Sequence, residues 1–286
     1  MLKALNWRLQ ARRGFATAWA KPFQVAIDGP AASGKSTTAK MVAQRLGFQY
    51  IDTGAFYRCI TYEVLSREID PTDPRNEEQI SNIAEQAHIR LQTLFAAASG
   101  VSKDQDRILH SLPTTRVFLE EQDVSSQIRT EHVSQHVSAV AAIGGVRQAV
   151  LQKVRSIGAQ DDARYVDGSP DSKSSTEGLV MDGRDIGTVV LPHADLKVFL
   201  VADSRVRAER RLLELIKSGA TPAQEKLDID AVQRDLERRD ELDRTRKVSP
   251  LMKAKDAMEL DTSGLTIETQ VDVIVQEVYR RRKSAA

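Results

Sequence analysis

The sequence predicts an α/β fold in which helices cover a parallel central sheet. Short apolar runs alternate with helical patterns over most of the chain, and this alternation is typical of repeated βαβ units. The last helical pattern carries apolar residues at a 3.6-residue period, namely Ile267, Val271, Ile274, Val275 and Val278. Such a period indicates a helix with one buried face, so we expect the fold to close on a packed C-terminal helix.

Local signals predict each element in turn. Phe23–Ile27 is an apolar run that stops at Asp28-Gly29, as a buried strand does before a tight loop. Gly47 is placed to end the first helix as a C-cap. In chain order, strands are predicted at 23–27, 48–51, 116–119, 179–181, 196–201 and 257–260. Helices before the closing one are predicted at 35–46, 55–67, 77–87, 131–142, 146–157, 205–217 and 222–239.

The length of 286 residues favours one domain with smaller subdomains. We place this domain at 22–283. Residues 68–128 are interrupted by prolines and differ in sequence pattern from the rest of the chain. This difference predicts an inserted subdomain. Residues 159–178 are rich in Asp, Ser and Gly, and they are predicted to form a flexible loop.

The N-terminal segment has a composition of its own. Residues 1–27 contain no Asp or Glu, whereas Lys3, Arg8, Arg12 and Arg13 are basic and leucines recur at helical spacing. That composition is typical of a mitochondrial transit peptide, so residues 1–21 are predicted to be a presequence and the protein to lie in the mitochondrial matrix. The alternatives are a disordered basic tail and a cytoplasmic location.

Composition restricts the remaining function classes. The formal net charge is only +1, so no overall positive field draws the chain to nucleic acid or to a membrane surface. No apolar run approaches the roughly 18–20 residues that span a bilayer. Cys59 is the single cysteine, which excludes an internal disulfide and fits a reducing compartment. We expect neither a nucleic-acid partner nor a membrane partner, and we expect a monomer.

The motif that carries chemistry is a phosphate-binding loop. The segment Gly29-Pro-Ala-Ala-Ser-Gly34-Lys35-Ser36 matches G-x4-G-K-[S/T] between a predicted strand and a predicted helix. Its backbone N–H groups and the helix N-terminus would bind phosphate oxygens. We expect Lys35 to reach the β- and γ-phosphates of ATP and the Ser36 hydroxyl to coordinate Mg²⁺. The predicted ATP-binding residues are Gly29, Pro30, Ala31, Ala32, Ser33, Gly34, Lys35, Ser36 and Thr37.

Further segments carry a family resemblance. They are Ile51–Arg58, Asp123–Arg129, Val137–Ala142 with Val146-Arg147, Met181–Thr188, Arg239–Arg246 and Ser249–Leu251. With the loop at 27–38, these segments closely resemble the bacterial-type cytidylate kinases, in the same order over most of residues 23–282. The resemblance implies a three-layer P-loop fold, a nucleotide-binding subdomain at 68–128 and a helical lid region at 205–240. It also implies that CMP and dCMP are phosphorylated at the expense of ATP.

Arginines from several chain segments fit an enzyme that joins two anionic substrates. Arg58, Arg147, Arg184, Arg239 and Arg246 lie next to Gly, Asp or Ser and off regular amphipathic faces. Surface salt bridging explains any one of them, but it explains five in matching segments poorly.

The resemblance also assigns roles to individual residues of the acceptor site. It implies that Arg58 and Arg184 hold the acceptor phosphate. It places Thr53, Arg147, Asp185 and Arg246 around cytosine, and Ser138, Arg239 and Asp243 at the sugar. Asp185 would accept from the cytosine amino group and an arginine would donate to the ring, whereas uracil would leave both groups unpaired.

A second set of arginines resembles the lid of the family. We expect Arg207, Arg210 and Arg211 to close over the ATP phosphates together with catalytic Lys35 and Arg184, although a solvated charged helix face is the alternative. Asp182 ends an apolar strand. It is predicted either to hold Mg²⁺ through water or to be a simple turn residue.

Two rival functions remain open at this point. The first is a P-loop kinase that acts on UMP, dTMP or a non-nucleotide acceptor, and the joint presence of Thr53, Arg147, Asp185 and Arg246 argues against it. The second is a catalytically silent nucleotide-binding protein. The intact Lys35 argues against that rival, and the near-neutral charge argues against an RNA surface.

Overall fold

The computed structural model describes residues 22–94, 114–159, 177–217 and 228–284. The predicted presequence, most of the predicted loop at 159–178 and the start of the predicted helix at 222 lie outside the described residues. The strands are β1 (Phe23–Asp28), β2 (Gln49–Asp52), β3 (Ile89–Leu94), β4 (Thr114–Leu119), β5 (Gln122–Asp123), β6 (Gly178–Gly183), β7 (Leu196–Val201) and β8 (Met258–Asp261). The helices are α1 (Lys35–Leu46), α2 (Thr53–Ser66), α3 (Glu77–Gln86), α4 (Glu131–Ala142), α5 (Gly144–Ala159), α6 (Ser204–Lys217), α7 (Ile229–Thr245) and α8 (Ile267–Ser284).

The central sheet confirms the predicted α/β class. Its five strands are all parallel, in the order β2–β6–β1–β7–β8. Five of the six residues of β1 and all six of β6 are buried, because helices cover both faces of a parallel sheet. The apolar runs that predicted these strands are therefore continuous rather than alternating.

Each face of the sheet has its own core. On one face, α1 and α8 pack against the sheet, and Val42, Val198 and Ile274 are fully or almost fully buried. On the other face, α2, α3 and α5 form a second core that includes Phe56 and Met181. The apolar stripe of the closing helix lies in the first core, as its period predicts.

Residues 68–128 contain a second, smaller sheet among the described residues. Its strands β3, β4 and β5 are antiparallel, and α3 packs beside α5. This antiparallel pairing agrees with the predicted difference between residues 68–128 and the parallel sheet. The division of the chain into subdomains stays a prediction.

Strand register brings three carboxylates to one edge of the sheet. Ile27 lies beside Asp182 and Asp28 beside Gly183 in the β1–β6 pair, and Asp52 lies beside Asp182 in the β2–β6 pair. The carboxyl ends of adjacent parallel strands form the crevice where open α/β sheets bind ligands. The functional site should therefore lie at this edge.

Helix α7 differs from its prediction. We expected a helix at 222–239, but it begins at Ile229, after the N-cap residue Asp228, and continues to Thr245, while residues 222–227 lie outside the described residues. Its last two turns bury Arg239, Asp240 and Asp243. A periodicity of apolar residues cannot detect such a face, because the buried side chains are charged.

Candidate active site

The phosphate loop connects β1 to α1, as the motif predicts. A Cβ atom at Gly29 would lie 2.5 Å from the carbonyl oxygen of Leu200 in β7, so a side chain cannot be accommodated where the loop leaves the sheet. Lys35 opens α1 and is buried, and its Nζ donates to the Pro30 carbonyl at 2.9 Å. The loop thus curls back over its own lysine.

A carboxylate of β6 faces the first turn of α1. The Ser36 hydroxyl donates to Asp182 Oδ2 at 2.6 Å, and the Tyr50 hydroxyl donates to Asp182 Oδ1 at 2.8 Å. Burial, with the nearby charge of Asp52 second, raises the pKa of Asp182 to about 6. Burial, followed by the charge of Arg184, lowers the pKa of Lys35 to about 7. A nearby cation would stabilise the charged form of Asp182, and a nearby anion would stabilise the charged form of Lys35.

The donor set at this point fits a divalent cation. A hydroxyl and a carboxylate are hard oxygen ligands, and Mg²⁺ is commonly held by one or two such groups together with phosphate oxygens. Across the described ranges, no three His, Cys, Asp or Glu side chains cluster in a way that would bind a metal by themselves. A cation here would therefore need oxygen ligands from the nucleotide or from water.

A cleft of about 270 Å³ extends from this loop. All nine residues predicted for the acceptor line it: Thr53, Arg58, Ser138, Arg147, Arg184, Asp185, Arg239, Asp243 and Arg246. So do six residues of the loop and its helix start: Ala31, Ala32, Gly34, Lys35, Ser36 and Thr37. Gly29, Pro30 and Ser33 do not line it. Residues assigned to the two substrates thus share one space.

The walls of the cleft come from elements other than the expected insert. Thr53 and Arg58 lie in α2, Ser138 in α4 and Arg147 in α5. None of the described residues of 68–128 lines the cleft. Three of the five predicted arginines, Arg58, Arg147 and Arg239, lie within helices, as the predicted helices at 55–67, 146–157 and 222–239 imply. All three line the cleft.

Two arginines of the cleft, Arg58 and Arg239, form no ion pair among the described residues. Arg58 donates through Nη1 to the Ile128 carbonyl at 3.1 Å and to the Ser134 hydroxyl at 3.0 Å. Within the described part of the chain, no carboxylate forms an ion pair with Arg58 or Arg239. Burial, with Arg239 as the second cause, lowers the pKa of Arg58 to about 10. Buried Nε of Arg239 has no hydrogen-bond partner. Such uncompensated positive charge is the signature of an anion site.

A second group of arginines is held by carboxylates. Arg147 Nη2 donates to Asp185 Oδ2 at 2.5 Å, and both side chains are buried. Asp243 accepts from Arg184 Nε at 2.8 Å and from Arg246 Nη1 at 3.3 Å. Even so, Nε of Arg147 and Nη2 of Arg246 are buried without a hydrogen-bond partner. These donors are available to a ligand in the cleft.

Two of the three predicted lid arginines do not line the cleft. Arg207 is buried beneath the phosphate loop, where its Nη1 donates to the Ala31 carbonyl and to Asp240. Arg210 donates to the backbone and side chain of Thr262. Arg211 does line the cleft, and its Nη2 donates to Glu131 Oε2 at 2.8 Å. Residues three and four apart share one face of a helix, but the three guanidinium groups have different partners, so their contacts and not the helix period separate them.

Sequence reasoning missed several residues at the site. Asp28 accepts from the backbone N–H groups of Ile186 at 2.8 Å and Gly187 at 2.7 Å, which fixes the turn that carries Asp185. Burial raises the pKa of Asp28 to about 6. Tyr57 also lines the cleft, although it belongs to a segment that carries the resemblance. The available signal for Asp28 was a carboxylate at the end of a buried strand.

The fold and the cleft together define a class of protein. A phosphate loop faces two arginines, Arg58 and Arg239, that form no ion pair among the described residues, across a cleft that also holds the Arg147–Asp185 pair. This arrangement is that of a P-loop kinase with separate sites for a nucleotide and for an anionic acceptor.

Comparisons with known proteins identify the family. Residues 25–280 match the family model described as cytidylate kinase. A cytidylate kinase from Desulfitobacterium hafniense (strain Y51) is 44% identical over 89% of this chain and 92% of the relative. A cytidylate kinase from Bacillus subtilis (strain 168) is 38% identical over 92% of this chain and 99% of the relative. The chain belongs to the cytidylate kinase family, and it is a kinase and a transferase.

Solved structures add only a distant similarity. A gluconokinase from Sinorhizobium meliloti 1021 aligns with 92% of this chain and 95% of its own, at 12% identity and a TM-score of 0.39. That similarity is too weak to support a statement about function. The family assignment rests on the family model and on the sequence relatives.

The comparisons also correct the predicted location. The relatives named above are bacterial proteins and give no support to import into mitochondria, so the prediction of a mitochondrial matrix protein is wrong. A basic, acid-free N-terminus was therefore an insufficient signal of import. Among the described helices, none is long and apolar enough to cross a membrane.

Proposed function

We propose that the chain transfers the γ-phosphoryl group of ATP to CMP and dCMP, with the acceptor bound by the arginine side of the cleft. One observation carries this proposal. Lys35 and Ser36 of the phosphate loop open onto the same cleft as Arg58, Arg184 and Asp185, so a donor phosphate and an acceptor phosphate can meet without leaving it. The proposed catalytic domain is 22–283, with α6 and α7 in its lid region at 205–240.

The acceptor phosphate binds to Arg58 and Arg184, because the arginine fork donates to phosphate oxygens in pairs. Arg58 forms no ion pair among the described residues, whereas Arg184 is oriented by Asp243. Arg58 is already oriented by the Ile128 carbonyl and Ser134, so little side-chain freedom is lost on binding. Burial and, second, the charge of Arg239 lower the pKa of Arg58. A bound phosphate would offset the repulsion between these two arginines.

Cytosine is recognised by the buried Arg147–Asp185 pair. The Asp185 carboxylate accepts from the exocyclic amino group, and Arg147 or Arg246 donates to the ring through nitrogens that lack partners. Thr53 supports this wall through its hydrogen bond to the Asp182 carbonyl at 2.7 Å. Uracil presents a carbonyl to Asp185, which costs on the order of 1–3 kcal/mol for an unpaired buried group.

The sugar lies against α4 and α7. Ser138, Arg239 and Asp243 line this part of the cleft, and hydroxyl and carboxylate oxygens suit ribose hydroxyl groups. Asp243 is held by Arg184 and Arg246, so one carboxylate connects the phosphate and base parts of the acceptor site.

On the ATP side, Lys35 and the loop N–H groups bind the phosphates. Ser36 and Asp182 would hold Mg²⁺, and the cation would neutralise phosphate charge. Arg211 also opens onto the cleft and can exchange Glu131 for a nucleotide phosphate. The acceptor phosphate is already ionised at neutral pH, so the chain acts by orientation and charge neutralisation and needs no general base.

A coupled assay of ADP release with CMP, dCMP, UMP and AMP tests the proposal. We expect turnover with CMP and dCMP to exceed turnover with UMP and AMP. The Lys35→Met variant serves as the control for contaminating kinases, since it removes the charge that binds the donor phosphates. Absence of CMP-dependent turnover in the wild-type protein would contradict the proposed reaction, and equal turnover of UMP and CMP would contradict the proposed base recognition.

A further inference from the structure

A buried ion pair forms hydrogen bonds with the backbone of the phosphate loop. Asp240 of α7 accepts from the Ala31 N–H through Oδ1 at 3.0 Å, and its Oδ2 accepts from Arg207 Nη1 at 2.5 Å. The same Arg207 nitrogen donates to the Ala31 carbonyl at 3.1 Å, and Arg207 Nε donates to the Ala202 carbonyl at 3.2 Å. Both polar groups of the Ala31 residue are thus held by one pair of side chains.

The contact is deeply buried. The exposed fraction is 1% for the Asp240 side chain and 7% for Arg207. Ala31 also packs with Ala208 of α6 and Leu236 of α7 in a small apolar cluster apart from the two main cores. Apolar packing therefore holds the phosphate loop against α6 and α7, and the ion pair sets its position.

The helix that carries Asp240 also carries acceptor-site residues. Leu236, Arg239 and Asp243 line the cleft from the same stretch of α7. Asp243, one turn from Asp240, holds Arg184 at 2.8 Å. Burial acts to lower the pKa of Lys35 and of Arg184, whereas the Asp240 charge acts to raise both. A rigid helix segment of about one turn therefore connects the donor loop to the acceptor side.

We propose that Asp240, with Arg207, is a positioning residue that fixes the Ala31 peptide of the phosphate loop and couples ATP binding to acceptor binding through α7. The inference rests on the proposed function, because it assigns ATP to the loop and CMP to the arginine side. Movement of α7 on acceptor binding would be transmitted to the loop, and linkage requires the reverse effect to be equal.

The variant Asp240→Asn tests this role. Ala31 and Arg207 donate to different oxygens of Asp240, and asparagine replaces one of these oxygens with an NH2 group that can only donate. We expect the affinity for a non-hydrolysable ATP analogue, measured by calorimetry, to fall about tenfold, the scale of one charge-assisted hydrogen bond. In the wild-type protein CMP should strengthen binding of the analogue, and in Asp240→Asn this enhancement should fall towards onefold.

A matched control exists on the same two helices. Asp230 of α7 pairs with Arg205 of α6 on the surface, without touching the loop. Asp230→Asn should leave the analogue affinity and the CMP enhancement within about threefold of wild type, as for an exposed pair. An equal effect of Asp230→Asn and Asp240→Asn would overturn the proposal.

A double variant separates positioning from stability. Asp240→Asn leaves Arg207 buried without a full partner, which destabilises the fold, whereas Asp240→Asn with Arg207→Gln removes both charges. We expect the double variant to recover thermal stability but neither analogue affinity nor CMP enhancement. Recovery of all three, or a wild-type protein in which CMP does not affect analogue binding, would overturn the inference. Loss of CMP-dependent turnover in the wild type would instead overturn the proposed function.

Discussion

Replacement of Asp185 by asparagine should change which base the enzyme accepts. The carboxylate is buried, receives Arg147 Nη2 at 2.5 Å and lies 3.9 Å from Arg246 Nη2. Asparagine has nearly the same shape, and the backbone carbonyl of this residue keeps its bonds to the N–H groups of Val189 and Val190. The change therefore removes one charge and one acceptor oxygen and leaves the turn in place.

The size of the effect follows from these contacts. A hydrogen bond to a charged group contributes about 1.5–3 kcal/mol, so kcat/KM for CMP should fall about 10- to 150-fold in Asp185→Asn. UMP should lose less, because an amide can donate to the uracil carbonyl. We expect the ratio of kcat/KM for CMP over UMP to fall by about tenfold or more.

Steady-state kinetics of both acceptors at saturating ATP measures that ratio. Asp272→Asn is the control, since Asp272 pairs with Arg45 on the surface of α8 and α1, away from the cleft, and both acceptors should be used as by the wild type. The role of Asp185 in base recognition would be refuted if the Asp185→Asn variant kept the wild-type ratio. It would also be refuted if the variant lost CMP and UMP activity equally.

Three other predictions concern the donor site, the acceptor phosphate and the core. Because burial lowers the pKa of Lys35 to about 7, ATP binding above pH 7 should be accompanied by proton uptake, and ATP affinity should weaken as pH rises above 7. Calorimetry in two buffers of different ionisation heat measures this uptake, and its absence would contradict the assignment. Arg58→Lys should reduce kcat/KM for CMP about 10- to 100-fold through loss of a bidentate contact, with KM for ATP unchanged; a matching change in both would indicate a general structural defect. Gly178→Ala should lower the free energy of unfolding by about 1–3 kcal/mol, because its Cβ would lie 2.4 Å from the Phe48 ring, whereas Gly264→Ala, with open space around it, should leave thermal unfolding unchanged.

The phosphate loop was predictable because its signals are local. The strand, the loop and the start of α1 at Lys35 depend on consecutive residues, and Gly47 ends that helix in a left-handed conformation at φ 70°, as a C-cap does. Boundaries failed where a helix buries charge. The end of α7 was misplaced because Arg239 and Asp243 face the cleft, and no apolar period marks such a face.

The acceptor residues could be named from the sequence only through a family resemblance. Arg147 and Asp185 are 38 positions apart, and Ala31 and Asp240 are 209 apart. Spacing alone could not show that either pair is in contact, because such contacts form only when the sheet order and the helix packing are in place.

The family, the parallel α/β class and the donor loop could be predicted from the residues alone, since each is encoded by continuous segments with their own backbone preferences. The partner of each buried charge, in contrast, depends on how the folded chain packs. Among the described residues, Arg58 forms no ion pair with a carboxylate, and Arg147 pairs with Asp185. Arg207 was expected to contact the nucleotide, but it lies beneath the phosphate loop and donates to the Ala31 carbonyl. The physical reason is that a buried charge takes the partner that packing brings within hydrogen-bond distance, and distance in space is not written in the local sequence.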